Sequence, residues 1–152
     1  MTAAADSNSR RRIRAVWAGY CAAFWSLLFA LAHIVWAMGW YVGLPAKEAR
    51  QWFERTGFLV YDLIVAGMCV VGVFVALALV QPWGRRLPRR LLLSLGWGAA
   101  GLLGLRGVAG VLQGVYLIAF SKLTPSPMQL YDLWFCLGGV LFGVSVRHYR
   151  TL

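Results

Sequence analysis

Four stretches of the chain, residues 15–38, 58–80, 91–120 and 128–146, are apolar over lengths that cross a bilayer. About 20 residues at a rise of about 1.5 Å span a hydrocarbon core of roughly 30 Å, so each stretch suffices as one helix. The third is longer than needed and predicts a tilted or projecting helix. Strands open to lipid leave backbone groups unpaired, and a barrel would show alternating segments of about ten residues, which the sequence lacks. Composition agrees: 61% of residues are hydrophobic and 13% charged, against about 45–50% and about 25% in soluble domains. The expected fold is therefore all-α, a polytopic membrane protein with four transmembrane helices in one bundle over residues 15–150. A basic tail, residues 1–14, precedes it, and its first nine residues read as disordered. The apolar run after Arg10, Arg11, Arg12 and Arg14 exceeds a signal-peptide core of about 7–15 residues and lacks a cleavage site, so it reads as a retained span.

The formal charge is +10, from fifteen Lys and Arg against five Asp and Glu. In a soluble protein this would suggest nucleic acid as a partner, but here the basic residues sit at the ends of apolar runs, where they set topology and meet lipid headgroups. No nucleic acid is expected; membrane lipids are. Arg10–Arg14, then Arg85, Arg86, Arg89 and Arg90, then Arg147 and Arg150 outweigh Lys47, Arg50, Arg55 and Lys122 on the other side, where Glu48 and Glu54 also lie. The positive-inside rule then predicts a multi-pass plasma-membrane protein with both termini cytoplasmic. Trp and Tyr residues near the span ends fit interfacial belts. Residues 47–55 read as a short amphipathic helix lying over the outer mouth. Thr124-Pro125-Ser126-Pro127 predicts a turn that is not helical throughout. Cys21, Cys69 and Cys136 lie singly in apolar stretches with no C-x-x-C or Cys/His ligand spacing, so they read as buried packing residues, with neither a disulfide framework nor a metal site. No nucleotide loop or nucleophile elbow is present, and no cofactor is expected.

Ionisable groups inside such spans cost about 2.5–3.5 kcal/mol each on insertion scales and rarely sit there without a partner or a task. Asp62 and Asp132 recur in the tripeptide Tyr-Asp-Leu, about half the chain apart, at the same point of the second and fourth spans. The recurrence admits two readings: chance, or two copies of a two-span hairpin forming a parallel repeat about an axis normal to the membrane. Each aspartate lies about one turn, roughly 6 Å, inside the outer end of its span; His33 lies roughly 9 Å deep and Arg106 roughly 20 Å, less if its long stem reaches outward. Gln113 shares a helical face with Arg106. His33, Asp62, Arg106, Gln113 and Asp132, with Trp36 beside His33, thus form one candidate ligand-binding site in the outer half of the bundle. Asp62, Asp132 and His33 are the candidates for any catalysis. The competing structural reading makes Arg106 and one aspartate a salt bridge that fixes helix register. The second acid is then protonated or paired with His33.

Gly110 with Gly114 and Gly139 with Gly143 form G-x-x-x-G patterns that favour close helix contact. Gly104 and Gly107 flank Arg106 and suggest room beside its side chain. The segment Ala32-His33-Ile34-Val35-Trp36-Ala37-Met38-Gly39-Trp40, together with Leu130-Tyr131-Asp132-Leu133-Trp134-Phe135, resembles a set of small four-span bacterial membrane proteins, frequent in actinobacteria and catalogued only as a domain of unknown function. The resemblance covers roughly residues 17–150 and implies a four-helix integral membrane fold with no established activity. Three functions compete on the residues themselves. One is a non-enzymatic module binding a small ligand, lipid headgroup or partner subunit at the polar cluster. Another is a small proton-coupled transporter or channel subunit, which would need a homodimer. The third is an intramembrane acid–base enzyme acting on an isoprenoid or lipid.

Overall fold

The structure, a computed structural model, describes residues 2–121 and 128–150. Its elements are α1 (Thr2–Ala37), α2 (Ala46–Phe53), α3 (Thr56–Val80), a 3-10 turn (Pro82–Arg86), α4 (Arg89–Ser121) and α5 (Met128–Arg150), with no strand among the described residues. Four of these helices are long and apolar enough to cross a membrane, over Val16–Ala37, Thr56–Val80, Arg89–Phe120 and Leu130–Arg150. Each apolar stretch read from the sequence is one helix. Helix ends differ from the apolar edges, by a few residues in α3, α4 and α5 and by thirteen at the start of α1, because the hydrogen-bond ladder ends where a cap stops it and not where apolarity does.

Those caps are local. Gly39, at φ +89°, ends α1: its amide donates to the Trp36 carbonyl at 2.8 Å and the Trp40 amide to that of Val35 at 3.1 Å, the paired bonds of a left-handed C-cap. Gln81 before Pro82 ends α3, since a residue preceding proline leaves the α region. α5 runs on to Arg150 with Arg147, His148 and Arg150 in its last turn, where cations complement the helix dipole. The segment expected to be disordered is instead helical from Thr2, and the alanines at positions 3–5 suit a helix continuous with the first span. The turn expected at Thr124–Pro127 lies outside the described residues.

The helices form two hairpins, α1 with α3 and α4 with α5, and α1 also packs on α5. The first hairpin is rich in small residues: Ala22, Ala23, Ala76 and Ala78 are nearly fully buried, and Gly19 packs against Val80 and Gly72 against Ser26. The second closes on glycine: a Cβ at Gly107 would lie 2.6 Å from the Cys136 amide, and one at Gly139 2.8 Å from that of Gly104. These glycines are therefore used within the chain, and α5 fills the room expected beside Arg106 at Gly107. The shared core runs from Val75, Leu79, Leu92 and Val146, near the arginine-rich turns, through Phe142 to Trp25 and Phe29 beside the cavity. There the Arg89 guanidinium donates to the Arg150 carbonyl at 2.6 Å, tying the ends of α4 and α5.

Toward the opposite end, which α2 covers, α3 and α4 make little direct contact and a space opens between them. Outward faces carry large apolar side chains such as Phe24, Val71, Phe74, Leu105 and Val140, a surface suited to lipid rather than water. The cysteines are all free thiols, and contrary to expectation none is buried: Cys21 is exposed, Cys69 and Cys136 partly so. Apolar spans turn much of their hydrophobic surface outward, so hydrophobicity alone does not predict an inward position.

Candidate functional site

The space between α3 and α4 has a volume of about 700 Å³, and every long helix and α2 contribute to its wall. That is within the range of about 300–1,000 Å³ typical of small-molecule pockets. Of the residues singled out in the sequence, His33, Asp62, Arg106, Gln113, Asp132 and Trp36 all line it. The four ionisable ones make two acid–base pairs, one in each hairpin, and Gln113 and Trp36 line the same cavity beside them.

In the first hairpin, His33 Nδ1 lies 2.6 Å from Asp62 Oδ1, a hydrogen bond with one proton between the two groups. His33 is 7% exposed and Asp62 2%. The small residues that bring α1 against α3 put the two side chains in reach, and Phe29 and Trp36 close over the imidazole edge-on at centroid distances of 4.7 and 4.9 Å. His33 Nε2 and Asp62 Oδ2 are buried without a hydrogen-bond partner among the described residues. An unfilled buried donor or acceptor costs about 1–3 kcal/mol, so this half of the site holds unspent hydrogen-bonding capacity.

In the second hairpin, Arg106 Nη1 donates to Asp132 Oδ1 at 2.6 Å. The arginine side chain is 54% exposed while the aspartate side chain is 10% exposed, so the guanidinium stands in the cavity and the carboxylate against its wall. Gly110 makes this geometry possible, since a Cβ there would fall on the Asp132 carboxylate and within 2.6 Å of Arg106 Nη1. The guanidinium carbon also lies 5.1 Å from the centroid of the Phe135 ring, a cation–π contact.

An aromatic layer separates the pairs. Phe29 meets Phe135 edge-on at 5.3 Å, and Trp25, whose indole donates to the Trp134 carbonyl at 3.1 Å, stacks on Trp134 at 5.6 Å. The Trp36 indole N–H donates to the Val42 carbonyl at 2.9 Å, leaving its ring for contact. Tyr131 reaches the other way, its hydroxyl donating to the Gly43 carbonyl at 3.1 Å and tying α5 to the loop before α2. Trp52 and Phe53 of α2, with Phe58, roof the cavity. Sequence reasoning did not assign these roof aromatics to the site, because interfacial belts explain such residues equally well. No group of three or more metal-ligating side chains occurs among the described residues.

The arrangement thus presents a buried pair with unfilled polar atoms, an accessible cation fixed by its carboxylate, and apolar and aromatic walls. Comparison with curated proteins and with solved structures gave no match. A family model does match, over residues 26–142, which takes in every residue of the two pairs and most of the cavity wall. The chain belongs to the family described as Protein of unknown function (DUF3995).

Proposed function

We propose that the protein is an integral membrane protein that binds a lipophilic small molecule between α3 and α4, with the ligand's polar part set among the two acid–base pairs. The observation that carries this reading is the cavity of about 700 Å³ that both pairs flank, one from each hairpin, beneath an aromatic roof. A pocket with mostly apolar walls and a few convergent polar groups is the usual form of a small-molecule site. The same features favour binding from within a bilayer, since the helices on either side turn apolar faces outward. The distribution of arginines supports placing both termini in the cytoplasm and the α2 end in the outer leaflet.

The test is native mass spectrometry of gently extracted protein. A bound small molecule or lipid is expected on the wild type. Val65→Trp, which fills the cavity from α3, is expected to lose it with the protein still monodisperse; Met68→Trp, from the same wall, is the second variant should Val65→Trp misfold. Retention of the same adduct by a folded cavity-filling variant would place binding elsewhere and overturn the reading.

A further inference from the structure

We propose that the ligand is a lipophilic organic cation, a molecule carrying one quaternary or delocalised positive charge within apolar bulk. The inference rests on the binding reading above and specifies its ligand class.

Charge is the first argument. Among the described residues, Arg106 and His33 are the basic side chains that line the cavity, and Asp62 and Asp132 the acidic ones. Arginine stays ionised, and Arg106 is balanced by Asp132 at 2.6 Å. The charge that remains is that of the His33–Asp62 pair: minus one with a neutral imidazole, zero with an imidazolium. In neither state does the cavity carry the net positive charge that would draw in a phosphate or carboxylate. Its bias, where it has one, is toward a cation.

The walls are the second. Phe29, Trp36, Trp52, Phe58, Tyr61 and Phe135 bring ring surfaces from α1, α2, α3 and α5 to one space. Ring faces carry negative potential and attract cations, most strongly where water is excluded. The wall already holds a cation in this way, since the Arg106 guanidinium lies over Phe135. An inorganic ion fits poorly, because calcium or magnesium needs several oxygen ligands and both carboxylates here are engaged by side chains. Val65, Met68, Leu102, Leu103 and Leu117 on the same wall suit apolar substituents, with Ser26 and Gln113 as neutral polar neighbours.

Two ions of nearly equal shape and opposite charge separate this idea from its rivals: tetraphenylphosphonium and tetraphenylborate, each referred to its free concentration outside a non-ionic detergent micelle. Occupancy is read by quenching of tryptophan fluorescence and by protection of Cys69, on the cavity wall, from alkylation, scored on its own peptide. The expected result is saturable binding of the phosphonium, about tenfold or more tighter than the borate. Asp62→Asn is expected to weaken the phosphonium about tenfold, and Trp52→Leu, on the roof helix and outside the bundle core, severalfold. Arg106→Gln, which leaves Asp132 uncompensated, is expected to strengthen it. Equal or tighter binding of the borate, or phosphonium affinity unchanged in both Asp62→Asn and Trp52→Leu, would overturn the cation assignment while leaving the binding reading intact. If neither ion protects Cys69 and no lipid or other adduct co-purifies, both fall.

Discussion

The two hairpins solve the same problem differently. Each carries a basic side chain on its first long helix and the aspartate of a Tyr-Asp-Leu tripeptide on its second, and in each the two groups meet at 2.6 Å. In the first hairpin both side chains are nearly sealed, at 9% and 3% exposure; in the second the arginine side chain is 54% exposed. The difference follows from what lies between the helices. The α1–α3 seam sets a glycine against a larger side chain, Gly19 against Val80 and Gly72 against Ser26, and leaves His33 and Asp62 inside the contact. Glycines bring α4 against α5 so closely that a long guanidinium fits only by leaving the seam, and it stands in the cavity. A sealed pair and an open pair of similar length therefore play unequal parts. The sealed one carries more of the stability as well as the cavity's uncompensated negative charge, and the open one presents its guanidinium directly to whatever enters.

That contrast can be broken by experiment. His33→Leu strands Asp62 in the seam, and breaking a buried pair typically costs about 3–5 kcal/mol. A loss of that order is expected in thermal or denaturant unfolding in mild detergent, and a cost no larger than that of removing Arg106 would dissolve the distinction between the hairpins. Gly107→Leu forces a side chain against the α5 backbone and is expected to cost about 1–3 kcal/mol. Its damage should be confined to the second hairpin, so amide exchange should quicken on α4 and α5 before α1 and α3. The smallest effect belongs to Arg106→Leu, roughly 1 kcal/mol or less, because a half-exposed ion pair is screened by its surroundings. Cation occupancy should rise in that variant while its melting temperature hardly moves, and a large stability loss with occupancy unchanged would reverse the roles given to the two pairs.

The architecture was legible at once. Apolar length alone predicts α1, α3, α4 and α5, and the amphipathic stretch around Trp52 predicts α2, because a segment crossing hydrocarbon has no alternative to the helix. The polar members of the site were legible too. His33, Asp62, Arg106 and Asp132 stand out because each is expensive where it lies. The pairing was legible only as a pair of alternatives. An arginine and two aspartates at similar depth do not say which carboxylate the arginine takes, and that choice rests on the azimuth at which each helix meets its neighbour. Of the two glycines beside Arg106, Gly104 keeps the open space expected of it and Gly107 does not, for the same reason. Gly107 beside Arg106 looks like free space along one helix, and it becomes occupied space once Cys136 packs on it.

The sequence by itself determined that there are four long apolar helices, that a basic or acidic group interrupts each, and that arginines gather at one end. These are properties of one segment at a time, and the cost of exposing backbone or charge to hydrocarbon acts segment by segment. Only the tertiary structure decided that the four groups separate into a closed and an open pair, that an aromatic layer stands between them, and that α3 and α4 leave a cavity where they diverge. Those features depend on which side chains face one another across helix contacts. That is set by the packing of small residues over the whole bundle, and no single stretch contains it.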